Sequence, residues 1–208
     1  MVFLDITATV EGRATMIDVV KRTVERISVP LTVGGGIGSV ETIQALLDAG
    51  VTKVSFNTAA VRNPELVQQA AETFGSETIT VAIDTRTNAS LPSGFEVMVS
   101  GGKEPAGIDA VEWAQRVEQL GAGAILPTSM DADGMQTGYD IPMTQAIASA
   151  VSLPVIASGG AGALEHLAEA ITVAGADAVL VASIVHFGTF TIAQMKDYLA
   201  EKGIPVRR

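Results

Sequence analysis

The chain has 208 residues and carries 13 Lys and Arg against 23 Asp and Glu, a net charge of −10. It is 48% hydrophobic and 17% charged, the balance of a globular protein with one sizeable core. The acidity argues against nucleic acid as the main partner but not against a phosphate ligand, because backbone amides hold phosphate without a basic patch.

Val2-Phe3-Leu4-Asp5 reads as a strand from the second residue. Further apolar runs predict strands at 31–33, 53–56, 78–84, 124–127, 155–157 and 178–181. Amphipathic stretches near 14–27, 40–49, 64–74, 109–120, 141–151, 163–173 and 190–202 predict helices between them. Asn63-Pro64-Glu65 starts one with a cap and a proline. Gly50 and Gly121 stop two others. Residues 86–103 interrupt the alternation: a turn-rich stretch and the alternating run Phe95–Ser100 predict a small hairpin between a strand and a helix. The whole is a single domain over 1–208, α/β, with seven βα units and parallel strands.

The chain has no cysteine, which rules out disulfides, thiolate catalysis and thiolate metal sites, and His166 and His186 are too few for a histidine-rich metal centre. No metal and no cofactor are expected. No targeting segment or long apolar span is legible, so the expectation is a cytoplasmic chain with no membrane partner.

The sequence repeats itself. Pro30, Gly36, Gly38 and Glu41 recur as Pro154, Gly160, Gly162 and Glu165, and the repeat spans about 29–61 and 153–185. Each copy holds a strand, a glycine turn, a helix, a strand and a hydroxyl-bearing turn. A glycine turn between strand and helix exposes amides at a helix N-terminus, an arrangement that takes anions. Gly35 and Gly36, with Thr58 after the next strand, form one such candidate. Gly159 and Gly160, with Ser183, form the other. Two anion sites on one face suit a small molecule with a phosphate at each end, or phosphate ions.

Among the acids, Asp84 closes the run Val81-Ala82-Ile83, where a partly desolvated carboxylate suits general acid or base work. Asp131 and Asp133 lie in TSMDADG, which lacks the remaining ligands and closing Glu of a calcium loop. Substrate contact by Asp133 and Gly134 is the expected use. Asp5 stands open between structure and site. Trp113 is expected to pack, His186 to be structural, and Lys53 to serve stability at the opposite face.

FLDITATVEGR, TVGGGI, KVSFNTAAV, VAIDTR, TSMDADG, GYD and IASGGAG together resemble the cyclase subunit of imidazole glycerol phosphate synthase, of histidine biosynthesis, over almost the whole chain. The sister isomerase of that pathway shares the doubled plan, but SMDADG and GYD favour the cyclase. The resemblance implies a (βα)8 barrel, here with only seven units, and two phosphate sites. It implies that ammonia from a glutaminase attacks an open-chain ribulosyl nucleotide (PRFAR). The products are imidazole glycerol phosphate and an aminoimidazole carboxamide ribotide, with two aspartates as general acid and base. By motif Asp84 matches one aspartate. Gly36, Asn57 and Thr58 match one phosphate region, and Asp133, Gly134, Gly160 and Ser183 the other.

The unit that carries the family's other aspartate and a mobile lysine loop has no counterpart in these residues. Weak or lost cyclase turnover is therefore expected, with phosphate binding partly kept; the alternative is a non-catalytic phosphate-ligand-binding or self-assembling barrel. Ala124, Pro127, Thr52 and Met135-Gln136 depart from the family's usual residues, which weakens the case for glutaminase docking. Two unpaired sheet edges, at Val2–Asp5 and Ala178–Val181, lead to an expected homodimer across the gap.

Overall fold

The computed structural model describes residues 1–5, 8 and 15–207. Seven parallel strands form in chain order: β1 (Val2–Leu4), β2 (Thr32–Gly34), β3 (Lys53–Phe56), β4 (Ile79–Thr87), β7 (Ala124–Ser129), β8 (Ile156–Ala157) and β9 (Ala178–Val179). Each pairs with the next in that order: Phe3 with Val33, Val33 with Val54, Val54 with Ile79, Val81 with Ile125, and Ile156 with Ala178. Single bridges, Ile125 to Val155 and Thr128 to Ser158, join β7 to β8. Among the described residues no pairing joins β9 to β1, so these are the two ends of the sheet.

A strand forms at each predicted position, with ends that shift by one or two residues except at β4, where the difference is larger. The run expected to end at Asp84 continues to Thr87, because β5 (Phe95–Val99) pairs antiparallel with it, Asp84 opposite Met98 and Thr87 opposite Phe95. β6 (Glu104–Asp109) then pairs with β5, so the predicted hairpin is larger than residues 86–103 suggested.

Helices follow each of the parallel strands: α1 (Ile17–Val24), α2 (Val40–Asp48), α3 (Thr58–Arg62), α4 (Glu65–Phe74), α5 (Ala110–Gln119), α6 (Ile141–Ala148), α7 (Leu164–Thr172), α8 (Ser183–His186) and α9 (Ile192–Glu201). Caps written in the sequence start several of them. Ser39 Oγ accepts from the Thr42 amide at 3.3 Å, Asp109 from Val111 at 2.9 Å and Asp140 from Met143 at 3.0 Å. Each such cap is worth about 1 kcal/mol. The short helices α3 and α8 were not legible, because each has too few residues to show a period.

Strand side chains alternate. Val33, Val54, Ile79, Val81, Ile83 and Ile125 are fully buried, in one cluster with Ile43 and Leu46 of α2, Val67 of α4 and Val117 of α5. Trp113 joins that core, as expected. A second cluster gathers Tyr139, Ala157, Leu167, Ile184, Met195 and Leu199 around α7 and α9. The alternate strand residues, Thr32, Lys53, Ser55, Thr80, Ala82, Ala124 and Leu126, line an internal cavity instead. Burial against helices thus fixes the register, since a one-residue slip would move these apolar residues into the cavity.

Candidate functional site

All seven strands are parallel, so their C-terminal ends share one rim. β2 ends in Gly34, and Gly35 and Gly36 follow with φ of 90° and 68°. β8 ends at Ala157, and Gly159 and Gly160 follow with φ of 87° and 103°. The two turns therefore lie on the same face, β2–β3 and β8–β9 being separated by β4 and β7. The positive angles demand glycine, and so does crowding. A methyl on Gly35 would stand 2.1 Å from the Asp5 carbonyl oxygen, and one on Gly160 would stand 1.9 Å from that of Gly138.

The cavity between them has a volume of about 2280 Å³. Gly35, Gly36, Asn57, Thr58, Asp84 and Asp133 all line it at the C-terminal rim. Lys53 and Thr32 line it toward the other end, where the Lys53 ammonium donates to the Glu77 carbonyl. A small recess opens at the second turn, lined by Asp133, Gly134, Ser158, Gly159, Gly160 and Ser183. Each residue singled out in the sequence as a binding candidate thus lines one of two adjoining spaces.

Asp84 sits midway. Its pairing with Thr128 of β7 places it at the rim, between the β2–β3 end and the β8–β9 end. Burial pushes its carboxyl up to about 6, the Asn57 side chain pulls it back by hydrogen bonding, and the negative charge of Asp133 adds to the rise. A group in that range exchanges protons near neutral pH, as a general acid or base must.

The hydroxyl and amide partners are already engaged. Asn57 Nδ2 donates to the Met98 carbonyl at 2.8 Å, and Thr58 Oγ1 accepts from the Ser100 amide at 2.9 Å. These bonds hold the hairpin against the end of β3. The Thr58 hydroxyl keeps its proton free to donate. Asn57 Oδ1 is buried with no partner among the described residues.

The loop after β7 is held from several sides. Asp131 accepts from the Thr87 amide at 2.8 Å and lies 3.9 Å from Arg86, so its carboxylate serves the hairpin. Ser129 Oγ donates to Asp140 at 3.0 Å. Tyr139 is buried, and its hydroxyl donates to the Leu180 carbonyl at 2.9 Å. Burial without a compensating charge pushes the Tyr139 hydroxyl well above its usual range, so it stays a donor. Across the second turn, His166 Nδ1 accepts from the amides of Gly162 and Ala163, both at 3.1 Å.

Asp5 is 6% exposed; its amide donates to the Gly34 carbonyl at 2.8 Å, its Oδ1 accepts from the Ala8 amide at 3.2 Å, and the residue also lines the cavity, so it has both a structural and a site position. His186 is exposed and meets Phe187 edge to face at 5.1 Å.

Sequence reasoning missed Lys103, which lines the cavity beside Gly101, and His166, which closes the second turn. The signal for Lys103 was the run Ser100-Gly101-Gly102-Lys103, a further glycine turn with a cation attached.

Among the described residues no helix is long and apolar enough to cross a membrane, and no group of three or more His, Asp or Glu is placed to hold a metal ion. The family model for histidine biosynthesis proteins matches residues 1–191. With its repeated βα units, parallel sheet and cavity at the strand ends, the chain belongs to the histidine biosynthesis protein family.

Proposed function

We propose that this chain is a cyclase-type member of that family, which holds a bisphosphorylated substrate across the cavity rim with one phosphate at each glycine turn. The single observation that carries the reading is the placement of the two turns, Gly35–Gly36 and Gly159–Gly160, on one rim with Asp84 between them. At the first turn Gly35, Gly36, Asn57 and Thr58 contact one phosphate, the amides and the Thr58 hydroxyl donating. At the second Gly134, Gly159, Gly160 and Ser183 contact the other, with Asp133 toward the middle of the substrate. Asp84 exchanges the proton during ring closure. The substrate is PRFAR, whose carbonyl condenses with ammonia and loses water before the molecule splits into imidazole glycerol phosphate and the aminoimidazole carboxamide ribotide.

Turnover by residues 1–208 alone is weak. The resemblance places a second aspartate on a strand that would lie between β9 and β1, and no described strand lies there. Losing one partner of an acid–base pair costs about 10²–10⁴ in rate. The same observation favours a second reading, a non-catalytic binder of phosphorylated ligands.

One pair of measurements tests both: PRFAR binding by calorimetry, and PRFAR turnover with ammonium chloride as nitrogen donor. The expected result is saturable binding with turnover at least about a hundredfold below that of an intact cyclase. Binding with no turnover at all leaves the second reading, and no binding overturns both.

A further inference from the structure

The two glycine turns are alike in backbone and unlike in charge: each has an aspartate beside it, Asp5 at Gly35 and Asp133 at Gly159, but among the described residues the cations Arg62 and Lys103 line the cavity while none lines the recess at the second turn. At the β2–β3 end, the hairpin folds back on the short helix α3. Arg62 Nη2 donates to Ser100 Oγ at 3.2 Å and lies 3.7 Å from the Glu104 carboxylate. Ser100, Gly101 and Gly102 all take left-handed conformations, with φ of 56°, 67° and 78°. This run reverses the chain between β5 and β6 and leaves Lys103 on the cavity wall with Gly101, while the Ser100 amide is tied to Thr58. Arg62 already has Glu104 as a partner. Among the described residues no carboxylate stands within ion-pair distance of Lys103. At the β8–β9 end the recess has one charged lining residue, Asp133, and no cation.

We propose that Lys103 is a specificity-determining residue, which makes the β2–β3 end the anchoring end, so that a ligand with a single phosphate group occupies that end first. The proposal rests on the phosphate-binding reading of the turns and adds an order to it. A lysine suits this role, being a mobile point charge that follows a phosphate without demanding one geometry. In a chain of net charge −10 an approaching dianion is repelled by most of the surface, so a local cation has a disproportionate effect on where it lands. Asp133 acts in the opposite sense at the other end, by like-charge repulsion.

Titration with inorganic phosphate at low ionic strength, followed by amide NMR, reads both ends at once. The amides of Gly35 and Gly36 are expected to saturate at lower phosphate concentration than those of Gly159 and Gly160. Lys103→Gln is expected to raise the first midpoint about three- to fivefold and leave the second unchanged, the effect fading in high salt. Lys202→Gln, which removes the same charge outside the cavity, is expected to change neither. Saturation of Gly159 and Gly160 first, or equal midpoints at both ends that Lys103→Gln does not move, overturns the order while leaving phosphate binding intact. No response at either end overturns the order together with the reading it rests on.

Discussion

The Gly138 amide donates to the Gly160 carbonyl at 2.8 Å, and the same two residues approach so closely that a methyl on Gly160 would lie 1.9 Å from the Gly138 carbonyl oxygen. The loop after β7 and the turn after β8 are thus locked backbone to backbone. Gly160→Ala meets both this clash and a φ of 103°. It is expected to destabilise the fold by about 2–4 kcal/mol, read by chemical denaturation, and to abolish phosphate response at Gly159 while sparing Gly35. An unperturbed Gly159 response in a folded variant would refute this.

Asp84 has a raised folded-state value of about 6 against 3.8 for the free side chain. Its charged form is therefore disfavoured in the fold. Its stabilising neutral form dominates at acid pH, and that contribution is lost as pH rises from about 4 through about 6. Asp84→Asn is expected to match the parent in stability near pH 4 and to exceed it by about 3 kcal/mol well above pH 6, while losing any turnover. Denaturation curves at a series of pH values check this; a constant difference would show that Asp84 is not desolvated.

Tyr139 is the only described side chain bonded to the Leu180 carbonyl, which lies two and three residues before Ala182 and Ser183. Tyr139→Phe keeps the ring and strands a carbonyl. The expected cost is about 1–2 kcal/mol, with a weaker phosphate response at Gly159 and Gly160 and none lost at Gly35. Equal losses at both ends would show a general loosening instead.

β1 and β9 each present an outer edge with no partner among the described residues, and Val2 and Leu4 of β1, 39% and 43% exposed, line the cavity beside that edge. Exposed edges with apolar side chains promote association. We propose that a second copy covers them, and light scattering is expected to give a dimer at micromolar concentration. A monodisperse monomer would overturn the proposal, as would Leu4→Lys leaving the mass unchanged.

Thr58→Val removes the acceptor of the Ser100 amide and a hydroxyl from the cavity lining near the first turn. Loss of about 1 kcal/mol in stability and a weaker response at Gly35 and Gly36 are expected. Thr58→Ser restores both if the hydroxyl, not the methyl, is what counts.

The parallel plan was legible because it is local: alternation of apolar runs with helical periods shows each βα unit within a few tens of residues, and Ser39, Asp109 and Asp140 cap their helices within three positions of themselves. The doubled glycine turns were legible for the same reason, as strand, turn and helix are contiguous in both copies. What only the tertiary structure decided is non-local. β4 outruns Asp84 because β5 supplies a partner for Thr85–Thr87. Gly160 is crowded by Gly138, and Tyr139 reaches Leu180 across the sheet order. Lys103 joins the cavity only when the hairpin folds onto Thr58. Local sequence sets which backbone conformations are open to a segment, whereas charge, burial and close approach at the rim depend on residues far apart in the chain and brought together by packing.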